Sequence, residues 1–255
     1  MTMRLLVWYD GRVVEATEYR LPEVYVYQRI HTLSYRAYNL SRHIILLREA
    51  SAAMFGFMSL CRVEDAERII AKLLELSRVS PRLSCTVVMR LDPRGVLSFQ
   101  VEPPTLYAGC ALRAKRLEGV LLSAPNLEDI HHTSLTLARD AMNDSRVIGF
   151  GDVAICYNGN NEVISTPWRP VFAVYHNKIY TPYEFSSVEY VATAEAIAKA
   201  GFELEVHALP IASLQRMDEI FIADVMGITS LLSINHHRLL FMITSQVADN
   251  MQPRP

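Results

Sequence analysis

The residues in this sequence best suited to chemistry stand side by side. His131 and His132 lie in Glu128–Ala141, EDIHHTSLTLARDA, where an irregular segment runs into a helical pattern. Imidazole titrates closer to neutral pH than any other side chain. A histidine in a cleft can therefore act as a general acid–base or hold an anion. The plainer reading is a pair of polar residues at a linker–helix junction, one of them partly capping the helix. A second pair, His236-His237, lies far along the chain. Neither pair has ligand spacing such as H-x3-H, so no metal site is expected. The chain has four lysines, Lys72, Lys115, Lys178 and Lys199, and none is near His131. Arg48, Trp168-Arg169 and the tyrosines Tyr25, Tyr27 and Tyr35 are further polar or aromatic candidates. Their plainer roles are at a surface, an interface or the core edge.

The elements that must position these residues follow from local patterns. Leu5–Tyr9, Asp10-Gly11 and Arg12–Glu15 predict a hairpin with Asp-Gly at its turn. Tyr25–Leu33 predicts a strand. Leu40–Phe55 predicts a helix with Ser41 as its cap. Val63–Ser80 predicts a helix, because Ile69, Ile70, Leu73, Leu74 and Leu76 form one apolar stripe. Cys85–Leu91 and Val96–Val101 predict a hairpin across Asp92-Pro93-Arg94-Gly95. Ala111–Leu122 predicts a strand, Ser123–Asp129 a linker, and Thr133–Asn143 a helix. Asp152–Tyr157, Val163-Ile164, Val171–Tyr175, Leu204–Val206 and Ile220–Ala223 predict strands. Ser187–Ala200 predicts a helix that stops at Gly201, and a short helix is expected near Ser213. Mixed elements with many hairpins predict an α+β fold.

Bulk properties narrow the function. Of 255 residues, 51% are hydrophobic and 20% charged, with net charge −2. An even, slightly acidic balance argues against a nucleic-acid or anionic-membrane partner. No apolar run approaches spanning length, and Leu5–Tyr9 reads as a strand, not a signal segment. The four cysteines form no CxxC pair, as expected of a reduced cytoplasmic protein.

The second half has a distinctive order: GDVAICYNGNNEVIS, then VFAVYHNKIYTP, a helix ending AIAKAG, and FELEVHALPIASLQRMDEIFIADVMGITSL. This order resembles the class IV aminotransferase family. These are fold-type-IV pyridoxal-phosphate enzymes, among them branched-chain and D-amino-acid aminotransferases and aminodeoxychorismate lyase. In the first half, RAYNLSRHIILLREAS is similar to the family's F-R-L-x-x-H-x-x-R-L helix start. The resemblance covers most of the chain. It implies a two-domain D-amino-acid-aminotransferase-like fold, with an N-terminal α+β domain over 1–122, a linker over 123–129 and a C-terminal pseudo-barrel over 130–255. It also implies a homodimer.

Carried over position by position, the resemblance puts the Schiff-base lysine on His131, with His132 within the uncertainty of register. The phosphate-gripping arginine falls on Leu46, the glutamate facing the pyridine nitrogen on Ser165, and the turn asparagine on Pro170. Gly227-Ile228-Thr229 resembles the backbone phosphate cup. Imidazole forms no internal aldimine. A neutral serine does not keep a pyridine ring protonated. An aliphatic residue gives a phosphate no charge-assisted bond, worth about 1.5–3 kcal/mol. The leading expectation is therefore a family member without its cofactor, inactive or repurposed to bind a small anion or a partner. Two alternatives stay open: a cofactor-free acid–base enzyme using the cleft histidine, and a pyridoxal-phosphate aminotransferase or lyase in a different register.

Overall fold

The Asp-Gly turn sets the first sheet in place. Asp10 and Gly11 both take positive φ, 48° and 75°, as the twist of a two-residue hairpin turn requires. They join β1 (Leu6–Tyr9) to β2 (Arg12–Glu15). The structure is a computed structural model and describes residues 3–104, 111–112, 116–123, 152–166, 169–185, 187–224 and 227–251. His131, His132, Lys115, Trp168 and the expected helix over 133–143 lie outside these residues.

The first unit continues with β3 (Val26–Leu33), β4 (Arg36–Ala37), α1 (Leu40–Phe55), α2 (Val63–Leu76), β5 (Cys85–Leu91) and β6 (Leu97–Val101). Its strands form an antiparallel sheet in the order β2-β1-β6-β5-β3-β4. Helix α1 starts at Leu40 and its N-cap is Asn39, which takes the left-handed conformation; Ser41 is not the cap. It ends at Gly56, also left-handed, whose N–H returns to the Ala52 carbonyl. Helix α2 has Glu64 and Asp65 in its first turn, where the helix dipole favours acids. It stops at Leu76, short of the predicted Ser80, and Arg78 then takes φ 58°. Ile70, Leu73 and Leu74 from α2 and Ile44 and Leu47 from α1 are fully buried with Ile30, Val87, Met89 and Phe99.

The second unit contains β7 (Ala111–Leu112), β8 (Leu117–Ser123), β9 (Val153–Tyr157), β10 (Val163–Ser165), β11 (Val171–Tyr175), β12 (Lys178–Thr181), α3 (Val188–Lys199), β13 (Leu204–Val206), a 3-10 turn (Ile211–Arg216), β14 (Glu219–Asp224), β15 (Gly227–Ile234), β16 (His237–Arg238) and α4 (Met242–Asp249). The main path of its sheet is β10-β9-β8-β15-β14-β11-β12-β13. One end of that path, β10, meets the segment that follows the other end, β13. The Val163 N–H donates to the Leu209 carbonyl at 2.8 Å, and Glu162 bridges Pro210. The sheet is thus curled on itself.

Strand alternation gives this curled sheet two apolar faces. Val171, Ala173, Ile220, Ile222 and Leu231 fill one cluster. Their neighbours Phe172, Val174, Phe221, Ala223 and Ile228 pack with Ile197 of α3 and Val247 of α4 in another. Ser187 caps α3 by accepting from the Tyr190 N–H, and Gly201 follows with φ 83°. The buried Glu219 carboxylate accepts from the N–H groups of Ile243 and Thr244 and from the Thr244 hydroxyl, so it anchors the first turn of α4.

The chain divides into its two units near residues 109–110, earlier than the expected boundary at 122. The reason is pairing. β8 lies parallel to both β9 and β15 and so belongs to the second sheet. Pro125 and Asn126, read as a linker, follow that strand and are outside the described residues.

Candidate functional site

Several of the positions singled out by sequence lie on regular elements. Leu46 is a half-buried residue of α1. His43, three residues earlier, is fully buried. Its Nδ1 donates to Gln28 Oε1 at 2.8 Å, and burial pushes its pKa down to about 3. It is therefore a neutral core histidine. Arg48 is two places after Leu46, and its Nη2 donates to the Cys61 carbonyl at 2.7 Å. That bond ties α1 to the segment before α2. Ser165 ends β10, buried, opposite Cys156 at a register shift in the β9–β10 ladder. Tyr35 donates from its hydroxyl to the Val79 carbonyl at 2.9 Å, a structural tie.

Gly227, Ile228 and Thr229, expected as a remnant phosphate cup, lie on a strand. They open β15, paired with β14 on one side, and Gly227 and Ile228 also pair with β7 on the other. A strand flanked on both sides spends its N–H groups on its neighbours. The segment forms part of a sheet ladder. Nearby, Arg169 and Asp224 approach to 3.8 Å.

The richest set of polar side chains lies elsewhere, on the first sheet. One face of β3, β5 and β6 supplies the core, through the rows Gln28–Met89–Phe99 and Ile30–Val87–Val101. Cross-strand partners share a face, so the intervening rows lie on the other face. These are Tyr27–Arg90–Ser98 and Arg29–Val88–Gln100. Arg29 pairs with Glu102 at 2.7 Å. Arg90 Nη1 donates to Gln100 Oε1 at 2.9 Å, and its guanidinium lies over the Tyr25 ring, 5.6 Å from the centroid. Tyr19 donates to Ser98 Oγ at 2.9 Å, and His31 Nε2 lies 2.7 Å from Ser84 Oγ. Tyr25, Tyr27 and Val88 form a small buried cluster among these groups.

A family profile described as amino-transferase class IV matches residues 26–234. The chain belongs to the class IV aminotransferase family. Solved structures agree with this fold. A candidate branched-chain amino acid aminotransferase from Thermotoga maritima aligns at TM-score 0.82 and 17% identity, covering 98% of this chain and 95% of that one. A branched-chain aminotransferase from Thermoproteus uzoniensis, solved with norvaline, aligns at TM-score 0.76 and 18% identity, covering 96% and 93%. An aminotransferase from Brucella abortus bound to pyridoxal phosphate aligns at TM-score 0.78 and 14% identity, covering 96% of each chain. No curated protein sequence gives a significant match.

One of these solved structures binds pyridoxal phosphate, a group with defined chemical demands. The cofactor needs an amine for its aldehyde, a carboxylate for its ring nitrogen and cationic or N–H donors for its phosphate. Lys72 sits on α2, 2.9 Å from Glu75, and Lys178 bonds Glu203 and Glu205 at 3.2 and 3.6 Å. Lys199 is the last residue of α3. At the carried-over positions stand an aliphatic side chain, a hydroxyl and a paired strand. Sequence reading missed the Arg29–Arg90 face of this class IV protein, because neither arginine sits in a motif. The available signal was alternation in YVYQRIHTL and CTVVMRL, which puts Tyr27 with Arg29 and Val88 with Arg90 on one side each.

Proposed function

We propose that this chain is a class IV aminotransferase family protein that has lost its pyridoxal-phosphate site and now serves as a small-ligand-binding protein, assembled as a homodimer. One observation carries the reading: of the described lysines, Lys72 and Lys178 are held by carboxylates and Lys199 ends α3, while the family resemblance puts Leu46 and Ser165 at two more of the cofactor's contacts. Losing the imine-forming amine removes the chemistry. Losing the phosphate and ring-nitrogen contacts removes most of the affinity. Three such changes together are harder to reconcile with a shifted register than any one alone. The polar face of the first sheet is what remains for binding.

The test is direct. Incubate the purified protein with excess pyridoxal phosphate, reduce with borohydride and map peptides by mass. No pyridoxyl-lysine is expected at any position, and no yellow colour survives dialysis. His131→Lys alone should not restore cofactor binding, whereas His131→Lys, Leu46→Arg and Ser165→Glu together should do far better than any single change. Such effects are non-additive because the three groups grip one ligand. A pyridoxyl-lysine in the unaltered protein, or robust transamination, overturns the proposal.

A further inference from the structure

We propose that the second unit carries a binding site for a small primary ammonium, with the Glu162 carboxylate as its anchor. The tip of the β9–β10 hairpin and the segment after β12 enclose a cavity of about 230 Å3. Val163, Ile164, Pro182, Tyr183 and Ala208 form its walls, and Asn158 and Glu162 supply its polar end. Glu162 is the one residue of this lining that carries a charge at neutral pH. It is half-buried, and its carboxylate meets a single side chain among the described residues, the Asn158 amide at 3.4 Å. No cation among them pairs with it. A carboxylate drawn partly out of water beside apolar walls is costly until a positive partner completes it. The site lies wholly within the second unit, so it is independent of the fate of the family's cofactor.

The backbone that carries this carboxylate is fixed from two sides. Asn158 Oδ1 accepts from the N–H groups of Asn160 and Glu162, at 3.0 Å each, and the Asn158 N–H donates to the Glu162 carbonyl at 2.9 Å. Across the seam Glu162 bridges Pro210, and the Ile211 N–H donates to the Asn161 carbonyl at 2.9 Å. Such a scaffold is formed before any ligand arrives, which lowers the ordering cost of binding. The chemistry of the lining then selects the ligand. A hard metal ion takes about six or more oxygens, and no group of three or more ligating side chains occurs among the described residues. Quaternary ammonium ligands are held in cages of several aromatic rings, and here Tyr183 is alone. A primary ammonium brings N–H donors for the Glu162 oxygens, and its alkyl body suits Val163, Ile164 and Pro182.

The experiment uses the full-length protein and three probes: isoamylammonium chloride, its neutral counterpart isoamyl alcohol, and tetramethylammonium chloride. Binding is read by calorimetry and from the assigned Glu162 and Val163 backbone amide signals in nitrogen-15 NMR. Isoamylammonium should bind and move both signals. The alcohol and tetramethylammonium should bind at least about tenfold more weakly. Glu162→Gln keeps the shape and removes the charge, and should weaken isoamylammonium at least about tenfold with the rest of the spectrum unchanged. Ala208→Leu fills the exposed wall of the cavity while leaving Glu162 intact, and should weaken isoamylammonium as well. If Glu162→Gln disturbs the spectrum as a whole, Ala208→Leu decides the matter. No binding of isoamylammonium, equal binding of either other probe, or undiminished binding by a folded Glu162→Gln or Ala208→Leu protein each overturns the site.

Discussion

The two sheets of this protein use their faces in opposite ways. The second sheet is apolar on both sides, with Val171, Ile222 and Leu231 in one cluster and Phe172, Phe221 and Ile228 in the other. The first is apolar on one side. On the other it carries Arg29, Arg90, Glu102, Gln100, Ser98 and the tyrosines. A face spent on burial contributes about 25 cal/mol per Å2 of apolar surface but leaves nothing to recognise a polar ligand. A face spent on half-buried charges contributes little stability and all of the recognition.

Breaking the stable side should cost most. Phe221 is fully buried and stacks on Phe172 with centroids 5.0 Å apart. Phe221→Ala should destabilise by about 3–5 kcal/mol, through lost transfer energy and a cavity. Urea unfolding checks this, and a loss below about 1 kcal/mol would mean the two-faced packing is not what holds the second unit.

The next effect concerns the core beneath the polar face. His43 is held neutral, its pKa lowered from 6.5 to about 3 by burial and then by the Arg42 charge. In the unfolded chain the same imidazole takes up a proton near pH 6.5. Between those values the unfolded state binds more protons, so stability falls as pH drops from 6.5 toward 3 and is unaffected above 6.5. The slope from this group is at most about 1.4 kcal/mol per pH unit. Replacing Gln28→Leu and His43→Phe together should flatten the pH dependence measured by urea unfolding at pH 7 and pH 5. Parallel slopes for the two proteins would remove His43 from the account.

The smallest effect sharpens the contrast. Arg90→Met should leave stability within about 1 kcal/mol, neutral or slightly raised, because it removes a charge with no acidic neighbour. A loss of several kcal/mol on thermal unfolding would show the polar face to be structural after all.

What could be read in advance followed the range of the interaction. The Asp10-Gly11 hairpin, the α2 stripe and the Ser187–Gly201 helix are set by neighbours within a few residues, and all three appear as expected. The register of β3 against β5 and of β5 against β6 joins residues 53 or more and 6 or more positions apart in chain order, so the company Arg90 keeps could not be deduced from its own strand. The extent of β15 was not legible for a related reason. GITSLLSI pairs with β14, β8 and β7, and a resemblance in three residues drew attention to a cup instead of to eight residues of strand. Pro125 and Asn126 are local signals, whereas the parallel pairing of β8 with β15 is long-range and was not legible from them. The class IV fold was legible from the order of elements. His131 and His132 fall outside the described residues, so their role rests on sequence alone.

The seam between Val163 and Leu209 bears on how the chain behaves in crowded solution. An open sheet offers a row of unpaired N–H and C=O groups at each margin, a template for strands of other molecules. Joining β10 to the segment that follows β13 removes most of that template where the sequence is most β-prone and least charged. The first sheet keeps its margins, β2 and β4, but β4 has two residues and β2 has four, with Arg12 and Glu15 at its ends. Among the described residues of the first sheet, intermolecular strand pairing, the first step toward fibrils, is offered only short, partly charged edges.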